Sequence, residues 1–93
     1  MTVPRVVASI EARMASSRLP GKVLSDIHGA PVLTRIVNRL RRCQTLDAIV
    51  VATSINELDD EIAAWAAKSD VMCYRGSEAD VLRRVVEAHR FMD

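Results

Sequence analysis

Aromatic residues are nearly missing from this 93-residue chain, at 3%, so any core has to be assembled from Val, Ile, Leu and Ala. Cysteine is also sparse: Cys43 and Cys73 stand 30 positions apart with no paired spacing. That excludes a disulfide framework and a cysteine metal cluster, and it suits a reducing compartment. No apolar run approaches the ~20 residues that a membrane-spanning helix needs, so no membrane partner is expected. The N-terminus has no basic leader followed by an apolar stretch and a cleavage site; export is therefore not expected, and a cytoplasmic location is. Glycine and proline number three each. Neither G-x-x-x-x-G-K-[ST] nor G-x-G-x-x-G occurs, which argues against P-loop ATPases and dinucleotide dehydrogenases.

What is present is ordinary for a soluble globular chain: 49% apolar and 27% charged residues, with no internal repeat or low-complexity tract. The length fits one small domain or part of one. A net charge of +1 hides two unlike halves. Residues 1–45 carry eight basic side chains against two acidic ones, a balance of +6, while residues 46–93 carry five against ten, a balance of −5. A basic N-terminal half suggests an anionic partner, either a phosphorylated small molecule or nucleic acid. The even total argues against nucleic acid, whose non-specific binding wants a strongly basic domain.

Residues 5–10 are a short apolar run rich in β-branched side chains and predict a buried strand. The next 14 residues, 11–24, mix Ser, Arg, Gly and Pro without strand or helix periodicity. Connections of that length are usually functional or disordered. Pro31 suits a first helical position, and Val32, Leu33, Ile36, Val37 and Leu40 then repeat along one helical face. Arg35, Arg39, Arg41 and Arg42 lie mostly off that face and predict a solvated basic surface. Residues 48–52 predict a second buried strand. Asn56 predicts a cap, followed by Glu57, Asp59, Asp60 and Glu61 where a helix dipole favours anions. Leu58, Ile62, Trp65 and Ala66 form the expected buried stripe of that second helix. Residues 71–74 predict a third strand, and Ser77 opens a third helix with Val81, Leu82, Val85, Val86 and His89 on one face. The order β-α-β-α-β-α points to an α/β fold with a parallel sheet. Ligand sites are then expected outside the carboxyl ends of the strands.

Residues 13–22 follow the first strand and hold three cations (Arg13, Arg18, Lys22) and two hydroxyls (Ser16, Ser17). A triphosphate needs such a surface: fixed positive charge, hydroxyl and backbone donors, and a turn that wraps the anion. Pro20 and Gly21 supply turn chemistry. By spacing alone two readings stand, a phosphate-cradling loop and a solvated basic loop.

Residues 7–24 (VASIEARMASSRLPGKVL), 26–33 (DIHGAPVL), 49–54 (IVVATS) and 74–82 (YRGSEADVL) together resemble the cytidylyltransferase family. That family includes the acylneuraminate and 3-deoxy-manno-octulosonate (KDO) cytidylyltransferases, and the likeness is closest to its spore coat polysaccharide biosynthesis protein F group. The R-x-x-S-x-R-L-P-G-K run after a strand is specific, and the blocks span nearly the whole chain. The resemblance implies a Rossmann-like nucleotidyltransferase fold of three α/β/α layers, of which residues 1–93 are the N-terminal nucleotide-binding part. It implies transfer of CMP from CTP to a sugar or sugar acid, with Mg²⁺ and release of pyrophosphate, in polysaccharide or glycan precursor synthesis. Arg13, Ser16, Arg18 and Lys22 are implied to cradle the phosphates, with backbone around Ala12 near the base. Arg13 and Lys22 would neutralise the departing pyrophosphate and are the implied catalytic residues. Ser77 and Asp80 match a block lining the nucleotide side of the pocket, and they read equally as a helix-capping pair.

Departures from the family pattern carry expectations too. Glu11 stands where Gln is usual, and a carboxylate beside a triphosphate repels it unless Mg²⁺ or Arg13 screens it. Ala15 replaces a frequent Gly, and Ala79, Arg83, Val85 and Val86 replace acidic and aromatic residues near the substrate side. The family's acidic metal ligand lies beyond the third helix, so no metal ligand is expected within these residues, and the chain reads as an apparently truncated part, inactive alone. The alternatives are a non-catalytic nucleotide-binding or interaction module, and a sugar-1-phosphate nucleotidylyltransferase using another nucleoside triphosphate. Uncovered sheet and helix surfaces then predict self-association or a homodimer. Asp59, Asp60 and Glu61 read as a helix start rather than a metal site. His28 and His89 read as structural, Cys43 and Cys73 as buried small apolar residues, and Trp65 as core.

Overall fold

A computed structural model of the chain describes residues 6–15, 22–27 and 29–92. Three strands, β1 (Val7–Glu11), β4 (Ala48–Ser54) and β5 (Met72–Gly76), form a parallel sheet in the order β1-β4-β5. Val7 lies beside Ala48, and Val50 beside Met72. A second, two-stranded antiparallel sheet pairs β2 (Asp26–Ile27) with β3 (Ala30–Pro31), turned by Gly29 at φ +88°. The helices are α1 (Val32–Arg41), α2 (Asp60–Lys68) and α3 (Val81–Met92).

The central strand shows why the sheet sits between two helical layers. Its run AIVVATS is apolar on both faces, the pattern of a parallel strand covered from each side. Val51 packs with Ala12, Leu33 and Ile62, on the side of α1 and α2. Its neighbours Val50 and Ala52 point the other way and pack with Ala88 and Met92 of α3. Period-two alternation thus gives each helical layer its own half of the core, and the three-layer α/β expectation holds.

Several local expectations change. Residues 11–24 are not wholly irregular: Glu11 completes β1, and Lys22–Leu24 winds into a 3₁₀ turn whose Val23 and Leu24 pack on the α1–α2 core cluster. Leu58 is 59% exposed rather than part of a buried stripe. It lies in a 3₁₀ turn (Glu57–Asp59), capped by the Asn56 side chain accepting from Leu58 N–H at 2.8 Å, and that turn changes the helical phase ahead of α2. Ile62 and Ala66 keep their buried places. The third helix starts at Val81, not Ser77, and Val81, Leu82 and Val86 are exposed. Its buried face is Arg84, Ala88 and Met92, spaced four apart. Small Ala88 allows close approach to β4, and Arg84 is drawn inward by a carboxylate on β1, which together set the helix's rotation.

Basic residues off the face of α1 are exposed as expected, and Arg41 has a further use. Its guanidinium donates to the carbonyls of Ser69 and Asp70 at 3.0 and 3.2 Å, covering the C-terminal end of α2. Trp65 is half-buried against the core and donates to Thr34 Oγ1 at 2.9 Å. His89 meets Ser9 Oγ at 3.1 Å, a structural contact between α3 and β1. Cys43 is exposed, contrary to expectation, because it follows the end of α1 in an exposed connection. His28 lies outside the described residues.

Candidate functional site

β1 carries Glu11 and Ala12 to the carboxyl edge of the sheet, where an open cleft of about 520 Å³ lies. Glu11, Ala12, Arg13, Ala15, Val23, Val81 and Arg84 line it. The site thus draws on the end of the first strand, the 3₁₀ turn and the start of α3, the place where a parallel sheet offers ligands its strand ends.

Two ion pairs of opposite polarity bridge the cleft. Glu11 Oε1 accepts from Arg84 Nε at 3.1 Å, and Oε2 accepts from the Nη2 group of the same guanidinium. The Arg84 side chain is 1% exposed. Its Nη1 donates to the carbonyls of Ser77 and Glu78 at 2.6 and 3.4 Å, so the buried charge is satisfied on every side. The second pair is shallow: Arg13 Nη2 stands 3.6 Å from Glu78 Oε1, with side chains 29% and 45% exposed. Arg13 Nη1 donates to the Glu78 carbonyl at 3.5 Å, and Arg13 Nε is buried with no partner among the described residues. Arg84 is therefore the cation that pairs with Glu11.

The segment after β1 is held from behind. Asp59, fully buried, accepts from Met14 N–H at 2.7 Å and from the Ser54 hydroxyl, while Ser54 Oγ accepts from Asn56 N–H at 3.1 Å. Arg75 adds a second staple, donating to the Ser54 and Asn56 carbonyls at 2.9 Å each and pairing with Asp60 at 2.7 Å. The ends of β1 and β4 are thus fixed relative to each other by side chains rather than by the ladder alone.

Of the residues singled out in the sequence, Ala12 and Arg13 line the cleft. Ser77 and Asp80 sit at the entry to α3 and spend their oxygens on backbone: Ser77 Oγ accepts from Asp80 N–H at 3.0 Å, and Asp80 Oδ1 from Arg83 N–H at 2.9 Å. Ser16 and Arg18 lie outside the described residues. Lys22 opens the 3₁₀ turn. Sequence reasoning passed over Arg84, Glu78 and the clamping role of Asp59. A signal existed for Arg84: a cation four residues before Ala88 and eight before Met92 interrupts the buried face it belongs to. Asp59 gave none, since an acidic residue near a helix start has a sufficient reason to be there.

Among the described residues no group of three or more His, Cys, Asp or Glu side chains converges to hold a metal. The carboxylates by the cleft are committed, Glu11 to Arg84, Glu78 to Arg13 and Asn56, and Asp59 to Met14 and Ser54. They do not fit a Mg²⁺ site.

The fold and the cleft define an α/β protein with two arginines, each paired with a carboxylate, at the carboxyl edge of a parallel sheet. Residues 7–93 match the sequence model of the cytidylyltransferase family, and the chain belongs to that family. It is 42% identical over 82 residues to the spore coat polysaccharide biosynthesis protein SpsF of Bacillus subtilis, covering 84% of this chain and 34% of that protein. It is 39% identical over 87 residues to a 3-deoxy-manno-octulosonate cytidylyltransferase of Anaeromyxobacter, covering 92% of this chain and 34% of that protein. A cytidylyltransferase structure from Leptospira borgpetersenii superposes with a TM-score of 0.86 at 31% identity, covering 96% of this chain and 38% of that one. A CMP-2-keto-3-deoxy-manno-octonic acid synthetase in complex with CTP superposes with a TM-score of 0.74 at 27% identity, covering 95% and 36%. The chain spans about a third of the length of the relatives it matches.

Proposed function

We propose that residues 1–93 form the nucleotide-binding part of a cytidylyltransferase, receiving CTP in the cleft at the end of β1. The observation that carries this reading is Arg13: a cleft-lining guanidinium whose buried Nε has no partner among the described residues, at the strand end where the fold exposes ligands. An arginine fork suits phosphate oxygens, and its charge offsets the negative charge that gathers on a leaving pyrophosphate. The acceptor is a sugar or sugar acid, consistent with the names of the relatives. In the proposed step a bond forms between an acceptor hydroxyl oxygen and the α-phosphorus. The bond from that phosphorus to the oxygen bridging to the β-phosphate breaks, and the hydroxyl proton passes to solvent. Arg18, Ser16 and Lys22 belong to the same proposal as further phosphate contacts, and Ala12 as backbone near the base. Because the carboxylates described do not fit Mg²⁺, no step is assigned to that ion. No described helix is long and apolar enough to cross a membrane. A cytoplasmic setting, where nucleoside triphosphates are available, belongs to the proposal.

The test is calorimetric titration of the chain with CTP, with UTP, ATP and GTP as controls. CTP is expected to bind tightest, and Arg13→Gln to weaken it by about ten- to a hundred-fold, the worth of a charge-assisted hydrogen bond. Equal affinity for all four nucleotides would remove the cytidine assignment, and an unaffected Arg13 variant would remove the phosphate role.

A further inference from the structure

The two ion pairs across the cleft join the same two pieces of chain but differ in depth. Glu11 and Arg13 both come from the end of β1, and Arg84 and Glu78 both from the approach to α3 and the helix itself. In the Glu11–Arg84 pair the guanidinium is buried and held by further hydrogen bonds, while the Glu11 side chain is 33% exposed. The Arg13–Glu78 pair is long, partly exposed to solvent, and leaves Arg13 Nε without a partner among the described residues. A guanidinium in that state is partly engaged and open to a better acceptor.

We infer that Glu78 is an internal competitor for the phosphate site: its carboxylate occupies the Arg13 guanidinium until a polyphosphate displaces it. This rests on the reading of the cleft as a nucleotide site. The carboxylate is aimed, not incidental. Asn56 Nδ2 donates to Glu78 Oε2 at 2.9 Å, while Arg84 and Arg13 both hold the Glu78 carbonyl. The backbone of Glu78 is thus fixed by the deep pair, and only its side chain has to move for Arg13 to be released. One carboxylate carries a single negative charge, whereas a triphosphate presents several, so displacement favours polyphosphates over singly charged anions.

The inference is tested by titrating the 93-residue chain with inorganic triphosphate and with CTP, comparing wild type with Glu78→Gln, Glu78→Asp, Arg13→Gln and the Arg13→Gln/Glu78→Gln double variant. Gln keeps the shape and the acceptor for Asn56 while removing the charge, and thermal unfolding confirms that each variant is folded. An exposed ion pair is weak, so Glu78→Gln is expected to tighten both ligands by about two- to five-fold. Glu78→Asp is expected to fall between it and wild type. The gain is expected to vanish when Arg13 is already Gln, which a merely structural role for Glu78 does not produce. Wild-type binding with unchanged or weaker affinity in Glu78→Gln overturns the competitor role and leaves the nucleotide site standing. Binding in which CTP is not preferred over UTP overturns the cytidine assignment, and the Glu78→Gln ratio for triphosphate still decides the competitor role. No binding of either ligand by wild type or Glu78→Gln overturns both.

Discussion

Glu11 ends an apolar strand at the mouth of a cleft proposed for a polyanion, where a bare carboxylate repels the ligand. Arg84 resolves that conflict from 73 residues away, at 1% exposure, by neutralising the carboxylate and filling its own remaining donors with carbonyls. Removing one partner of a buried pair costs more than changing its charge, because the other partner is left buried and alone. Glu11→Ala is therefore expected to destabilise the chain by about 3 kcal/mol. Glu11→Gln, which keeps an acceptor for the guanidinium, is expected to cost about 1 kcal/mol, both read by urea unfolding. Negligible cost in both variants would show that Arg84 does not depend on Glu11. The cysteines separate by the same reasoning about environment. Hydrogen bonds from Thr45 hold the exposed Cys43 thiol below its usual value, while burial pushes the Cys73 thiol up. Since the thiolate is the nucleophile, Cys43 is expected to be alkylated first as pH rises from 7 toward 9, with Cys73 following only at higher pH. Mass spectrometry of iodoacetamide-treated protein checks the order, and faster loss of Cys73 would contradict it. Composition gave no way to tell these two cysteines apart, because the difference lies in where the chain turns after α1.

At the scale of elements, the parallel strands were legible because runs of branched apolar residues leave few alternatives, and β4 reads apolar on both faces. The hairpin of β2 and β3 was not, since two-residue strands have no periodicity to detect. The rotation of α3 was also hidden: Val81, Leu82 and Val86 of the expected apolar face are exposed, and a long-range ion pair helps decide which side faces the sheet. The cleft was legible in part. Arg13 and Ala12 follow from being just past a strand end, but the fixing of that segment depends on Asp59, which accepts from Met14 N–H and the Ser54 hydroxyl in a fully buried position. Asp59→Ala leaves both donors without a partner and is expected to cost about 2–3 kcal/mol. Asp59→Asn retains an acceptor for Met14 and is expected to cost less. Amide hydrogen exchange at Met14 distinguishes a local role from a general one: selective acceleration there is expected in Asp59→Ala, and uniform acceleration across the sheet would mean that Asp59 supports the fold rather than the segment after β1.

For the whole molecule, the decisive property is how much apolar surface remains on the outside. Leu82 is 75% exposed and Ile55 70%, and Val81, Val86 and Phe91 of α3 are exposed beside the polar residues of that helix. Scattered exposed apolar residues are ordinary, but a contiguous apolar helix face is a surface that seeks cover. Leu82 and Val86, four residues apart, share one side of α3, away from the Arg84–Ala88–Met92 face that meets the sheet. The net charge of +1 gives copies of the chain little electrostatic reason to stay apart. The chain is therefore expected to self-associate through this face, with its apparent mass rising with concentration in sedimentation or light-scattering measurements. Leu82→Lys and Val86→Lys together are expected to shift it toward monomer without loss of thermal stability, since neither side chain belongs to the described core clusters. A wild-type chain that stays monomeric across the concentration series would locate the cover elsewhere than in a second copy, and an associated state indifferent to both lysines would place the contact on another face, with the exposed Ile55 and Leu58 after β4 as the next surface to charge.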